Sequence, residues 1–115
     1  ECPKAYHDRL TEQGISWIAV GKEGINLARG MVLLAEEFGV ERLAVTGGGR
    51  INGAFLEASL FDEISFMVAP GIDGRSGTAA VFAGIADKSR RATQLRLESV
   101  KQMGETVWMR YRVKK

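Results

Sequence analysis

Three consecutive glycines, Gly47-Gly48-Gly49, followed by Arg50, Ile51 and Asn52, form the stretch of this chain best suited to hold a ligand. An apolar run, Leu43-Ala44-Val45, leads into them, and an amphipathic run begins at once. That order predicts strand, tight turn, helix. Glycine has no Cβ, so its backbone turns with φ > 0 and lets a ligand come close. The first N–H groups of a helix have no acceptor inside it, and the helix dipole favours anions there. A phosphate or pyrophosphate at that point would satisfy both. The same glycines also suit a tight strand-to-helix turn that holds nothing. The residues alone leave both readings open.

Other chemistries fare worse. His7 and Cys2 are the only histidine and cysteine, whereas zinc chemistry needs three or four such ligands, so no metal site is expected. A Ser-His-Asp or Cys-His arrangement would have to use His7, and no Gly-x-Ser-x-Gly occurs. The phosphate loop of nucleoside triphosphatases needs Gly-Lys-Ser/Thr, and no lysine follows these glycines. A dinucleotide-binding turn is a closer match, with glycine at its first and third positions, but Asn52 stands at the sixth. No residue declares itself a proton donor. Asp73 is the candidate to hand, and a solvated turn aspartate is its plainer reading.

The elements that must position the turn can be read from periodicity. A short helix is expected over 3–13, ended by Gly14. Ile15-Ser16-Trp17-Ile18-Ala19-Val20 reads as a buried strand. Asn26 suits an N-cap, and Leu27, Ala28, Met31, Leu34, Ala35 and Phe38 follow at helical spacing, so a helix is expected over 26–38 with Gly39 as its left-handed C-cap. Gly30 lies inside that helix, where it costs about 1 kcal/mol against alanine, and would mark close packing. Residues 42–46 form the next strand. In the helix after the glycines, Ile51, Ala54, Phe55 and Ala58 share one face, which should be buried, leaving Arg50 and Asn52 free to meet a ligand. A third strand over 63–69 is apolar on both faces, and Pro70 ends it. A glycine-rich loop runs to Thr78, and 79–86 is apolar but of no clear type. Leu95 and Leu97, then Val107, Met109, Tyr111 and Val113, alternate with polar residues around Gly104-Glu105, which predicts an antiparallel hairpin. The expected fold is α/β: a parallel β-α-β-α-β unit followed by a C-terminal antiparallel β-hairpin, giving a mixed sheet.

Size and composition fit one domain over 1–115. The chain has 115 residues, 45% hydrophobic and 26% charged, with a net charge of +2. That charge is too small to argue for nucleic acid, although basic residues gather late in the chain. No apolar run approaches the ~18 residues a membrane span needs. The lone cysteine and the lack of a recognisable signal peptide lead us to expect a cytoplasmic protein. Glu1-Cys2-Pro3 reads as the interior of a longer protein.

At residues 39–56 the chain resembles the reductase domain of the bacterial riboflavin biosynthesis deaminase-reductase family. So do Leu60-Phe61-Asp62-Glu63-Ile64-Ser65-Phe66-Met67-Val68-Ala69-Pro70-Gly71-Ile72-Asp73-Gly74-Arg75 and the two terminal runs 95–100 and 107–113. The resemblance implies the C-terminal portion of a dihydrofolate reductase-like domain. It also implies an NADPH-dependent reduction of a ribosylaminopyrimidine to its ribityl form. By the same resemblance, Gly47, Gly48, Gly49, Arg50, Ile51 and Asn52 would hold the cofactor's pyrophosphate through backbone N–H groups. Thr46 stands where the family often has a substrate-contacting glutamate, and threonine offers a hydroxyl without charge. The family's domain is longer, so its N-terminal strands would bring further contacts.

A reading of a different class is a non-catalytic dimerising or nucleotide-sensing module that keeps the fold. In either case self-association is expected, as a homodimer, because so short a chain leaves sheet edge and apolar surface uncovered.

Overall fold

The computed structural model describes residues 2–115. They fall into two compact units, Glu1–Ala44 and Val45–Lys115, and each is described by itself.

The first unit carries two helices, α1 (Lys4–Glu12) and α2 (Leu27–Phe38). Helix α1 buries no residue; its C-terminus and one ring contact tie it to residues 14–17. Gly14 takes φ +68, Ile15 N–H donates to Leu10 O at 2.9 Å, and the His7 ring stacks on Trp17 with centroids 4.0 Å apart. Helix α2 matches its sequence closely. The Asn26 side chain accepts from Arg29 N–H at 2.9 Å. At the other end Gly39 is left-handed at φ +64, and Val40 N–H reaches back to Leu34 O at 3.0 Å. The left-handed residue and its bond close a helix whose last carbonyls would otherwise be orphaned.

Gly30 is buried in α2, yet a Cβ there would meet only Val20 Cγ2, at 3.7 Å, an ordinary contact. Gly30→Ala is therefore expected to stabilise the chain by about 1 kcal/mol through helix propensity. A rise in the urea midpoint at constant slope would register it.

Two expected strands are not formed. Residues 15–20 and 42–46 carry no ladder. A strand exists only where a neighbour takes its N–H and C=O groups. The first run's one onward backbone bond is a turn closure, with Asn26 N–H donating to Val20 O at 3.0 Å. The parallel β-α-β-α-β unit is thus not present among the described residues, although its helices are.

The second unit holds α3 (Gly49–Glu57) and strands β1 (Glu63–Val68), β2 (Leu95–Met103) and β3 (Thr106–Val113). The strands form one antiparallel sheet in the order β1-β3-β2. Gly104 enters the β2–β3 turn at φ +62, as a two-residue hairpin loop requires of its first residue when only that one is left-handed. Register places Ile64 and Leu97 opposite Tyr111, and Phe66 and Val100 opposite Met109, so one face is apolar. Phe66 and Tyr111 stack on it, with centroids 5.8 Å apart. The other face is polar: Arg110 is paired with Glu63, Arg112 Nε donates to Glu98 at 2.6 Å, and Trp108 Nε1 donates to Ser65 Oγ at 2.7 Å. Glu98 is the extra residue of a bulge between Leu97 and Ser99. Among the described residues only one large apolar side chain, Phe55 of α3, is buried, at 8% exposure. It opens an aromatic row through Phe61 to Phe82.

Candidate functional site at the glycine turn

Each of the three glycines at the head of α3 stands in a different setting. Gly47 takes φ +94, and the Gly47–Gly48 peptide bond is cis; a side chain at that φ would be strained. Gly49 lies against the chain, where a Cβ would come within 2.1 Å of Ala80 O. Gly48 is different. Its φ is −68, which any residue adopts, and a Cβ there would meet nothing within 4 Å. Neither backbone nor packing demands a glycine at 48, so open space remains beside the turn.

Helix α3 begins without a side-chain cap. The N–H groups of Gly49, Arg50 and Ile51 find no acceptor among the described residues, and the first to be taken is Asn52 N–H, by Gly48 O at 3.0 Å. Three orphan donors at the positive end of a helix make an anion site in physical terms. Arg50 and Ile51 are exposed beside it, and Thr46 is exposed with no hydrogen-bond partner among the described residues.

Asn52 departs from the expectation. It is not free to meet a ligand: its Nδ2 donates to Val81 O at 2.9 Å, its own N–H is used within the helix, and its Oδ1 is sealed from solvent without a donor. A buried acceptor left in that state costs about 1–3 kcal/mol. The buried face of α3 is also not the one expected. Of Ile51, Ala54, Phe55 and Ala58 only Phe55 is buried. The face that carries Gly49, Asn52 and Gly53 lies against 80–83 instead. A Cβ on Gly53 would come within 1.8 Å of Ala83 O, and Ala83 N–H donates to Gly49 O at 2.9 Å. Glycines add nothing to a hydrophobic pattern, so a face built from bare backbone escapes a search for apolar spacing. The i, i+4 pair Gly49 and Gly53 is the one sequence signal for it.

Asp73 is ill suited to give a proton. The Arg75 guanidinium donates to both its oxygens, by Nη2 at 2.8 Å and also by Nε. That pairing holds the carboxyl below the usual aspartate range, so it stays ionised at neutral pH. A separate groove of about 550 Å³ opens at the other end of α3, lined by Leu56, Phe61, Thr93, Val113 and Lys114 among others. It does not coincide with the glycine turn. Arg90 lies close by, donating to Leu56 O at 3.0 Å and so satisfying a carbonyl at the helix C-terminus.

Residues 1–109 match the family described as the RibD C-terminal domain. The chain belongs to that family. A riboflavin biosynthesis protein RibD from Bacillus amyloliquefaciens is 29% identical over 101 residues, which make up 87% of this chain and 27% of that protein. Among solved structures, RibD of Acinetobacter baumannii superposes with a TM-score of 0.79 at 20% identity, over 93% of this chain and 29% of the other. A pyrimidine reductase-like protein from Corynebacterium diphtheriae gives 0.78 at 19% identity, over all of this chain and 47% of the other. These likenesses give the fold, that of RibD reductase domains. The chain spans between a quarter and a half of the length of these relatives. No helix among the described residues is long and apolar enough to cross a membrane.

Proposed function

We propose that this chain is part of a riboflavin-type reductase that uses NADPH to reduce a ribosylaminopyrimidine to its ribityl form. The observation that carries the reading is the trio of unpartnered N–H groups at Gly49, Arg50 and Ile51, beside a glycine at 48 that the fold does not require. Family membership supports the same conclusion. In this reading the three amides hold the diphosphate, Gly47 and Gly48 let it approach, and Arg50 adds positive charge beside it. NADPH, when bound, supplies the hydride; the residues of this chain bind and orient it, which is most of what hydride transfer asks of a protein. Thr46 would meet the substrate through its hydroxyl. Asn52 supports the turn rather than donating to the ligand. The finer parts of the proposal are a single domain over 1–115, a homodimer, and a cytoplasmic location. The dimer is supported by the two unpaired edges of the sheet, β1 and β2. Sedimentation showing monomer alone would refute it.

Gly48→Ala tests the cofactor site most directly. Its Cβ enters open space, so stability should stay within about 0.5 kcal/mol. NADPH affinity, followed by tryptophan fluorescence, should fall at least tenfold, about 1.4 kcal/mol. Unchanged affinity would sink the assignment of the diphosphate to this turn.

The second reading, a non-catalytic nucleotide-sensing module, is favoured by Thr46, which brings no charge to the substrate side. Steady NADPH oxidation with the ribosylaminopyrimidine would exclude it.

A further inference from the structure

We infer that Asn52 is a positioning residue that latches segment 79–84 onto α3, making that segment a second wall beside the glycine turn. The wall rests on the dinucleotide reading of the turn; the latch does not. Segment 79–84 has no helix or ladder of its own. Two hydrogen bonds tie it to the head of α3: Asn52 Nδ2 to Val81 O at 2.9 Å and Ala83 N–H to Gly49 O at 2.9 Å. Between them the carbonyls of Ala80 and Ala83 fill the space that side chains at Gly49 and Gly53 would take. Phe82 adds an edge contact to Phe61, with centroids 6.2 Å apart.

The Asn52 amide is the one polar group in this region whose two ends are treated differently. Nδ2 is bonded, whereas Oδ1 is buried and unpartnered. A fold tolerates an orphaned acceptor where the other end of the group is needed. The same side chain lies over the turn itself, since a Cβ on Gly47 would meet Asn52 Nδ2 at 3.2 Å. Asn52 therefore touches both the turn and the segment, and sets the distance between them. Alanine removes the donor. Aspartate keeps the size but sets an oxygen against Val81 O, so two acceptors face each other. Neither change disturbs the notch made by Gly49 and Gly53.

The test uses the whole chain as wild type, Asn52→Ala and Asn52→Asp, with amide exchange followed by NMR and NADPH as the ligand. Losing one hydrogen bond should speed exchange of Ala83 N–H about tenfold, while the amides of β3 keep their rates. The dissociation constant for NADPH should rise about tenfold in both variants. Unchanged exchange at Ala83, or an equal rise in β3, would overturn the latch. An opened segment with unaltered NADPH affinity would overturn the wall. A wild-type chain that does not bind NADPH would remove the cofactor reading and the wall together, with the exchange measurement still deciding the latch.

Discussion

Phe55→Ala is expected to remove about 3–5 kcal/mol of stability, more than alanine at any glycine of α3. Phe55 is the one large apolar side chain buried among the described residues, at 8% exposure. It stands at the head of an aromatic row, 5.8 Å from Phe61 between centroids. Truncation to alanine would leave the row without its buried end and open a cavity beside Phe61. A domain's whole stability is only about 5–15 kcal/mol, so the variant should lose a large share of it. Urea unfolding with near-ultraviolet circular dichroism would measure this. A loss below about 1 kcal/mol would show that Phe55 does not anchor the unit.

The second large effect is expected at Gly53→Ala, through a different mechanism. A Cβ there would sit 1.8 Å from Ala83 O, 2.9 Å from Ala83 C and 3.2 Å from Ala83 N. All three are backbone atoms, which cannot swing aside as the end of a long side chain can. Alanine would gain about 1 kcal/mol in helix propensity, but overpacking of this kind typically costs about 1–3 kcal/mol or more. The overlap is severe, so the net change should be destabilising, with segment 80–83 pushed off the helix. Gly30→Ala makes the contrast: the same propensity gain, with ordinary contact instead of overlap. Denaturation curves of the two variants should therefore move in opposite directions, and NADPH binding should suffer only at 53.

What a sequence reveals of a fold depends on which signals its side chains carry. Helix α2 is legible because its caps are side-chain and glycine chemistry, Asn26 at one end and Gly39 at the other. The hairpin is legible because strict alternation brackets Gly104-Glu105. The glycine turn and the helix after it are also legible, and the unpartnered amides lie where helix physics puts them. The packing face of α3 is not, because Gly49 and Gly53 contribute contact through what they lack. The spacing of Asn52 puts it off the apolar face and so suggests a ligand residue. No pattern reveals that Val81 O, 29 residues later, claims its amide. Residues 15–20 and 42–46 have strand composition, but composition cannot supply the neighbour that a ladder needs.

The two tryptophans stand one in each unit, and their surroundings differ. Trp17 lies flat on the His7 ring, 4.0 Å away, while Trp108 is hydrogen-bonded to Ser65 across β1 and β3. Imidazole is an effective quencher at such range. Emission should consequently come mainly from the sheet, and a Trp17→Phe variant would make the protein a single-emitter probe of events in residues 45–115. Intensity lost from one lamp and not the other would tell which half of the polypeptide a nucleotide disturbs.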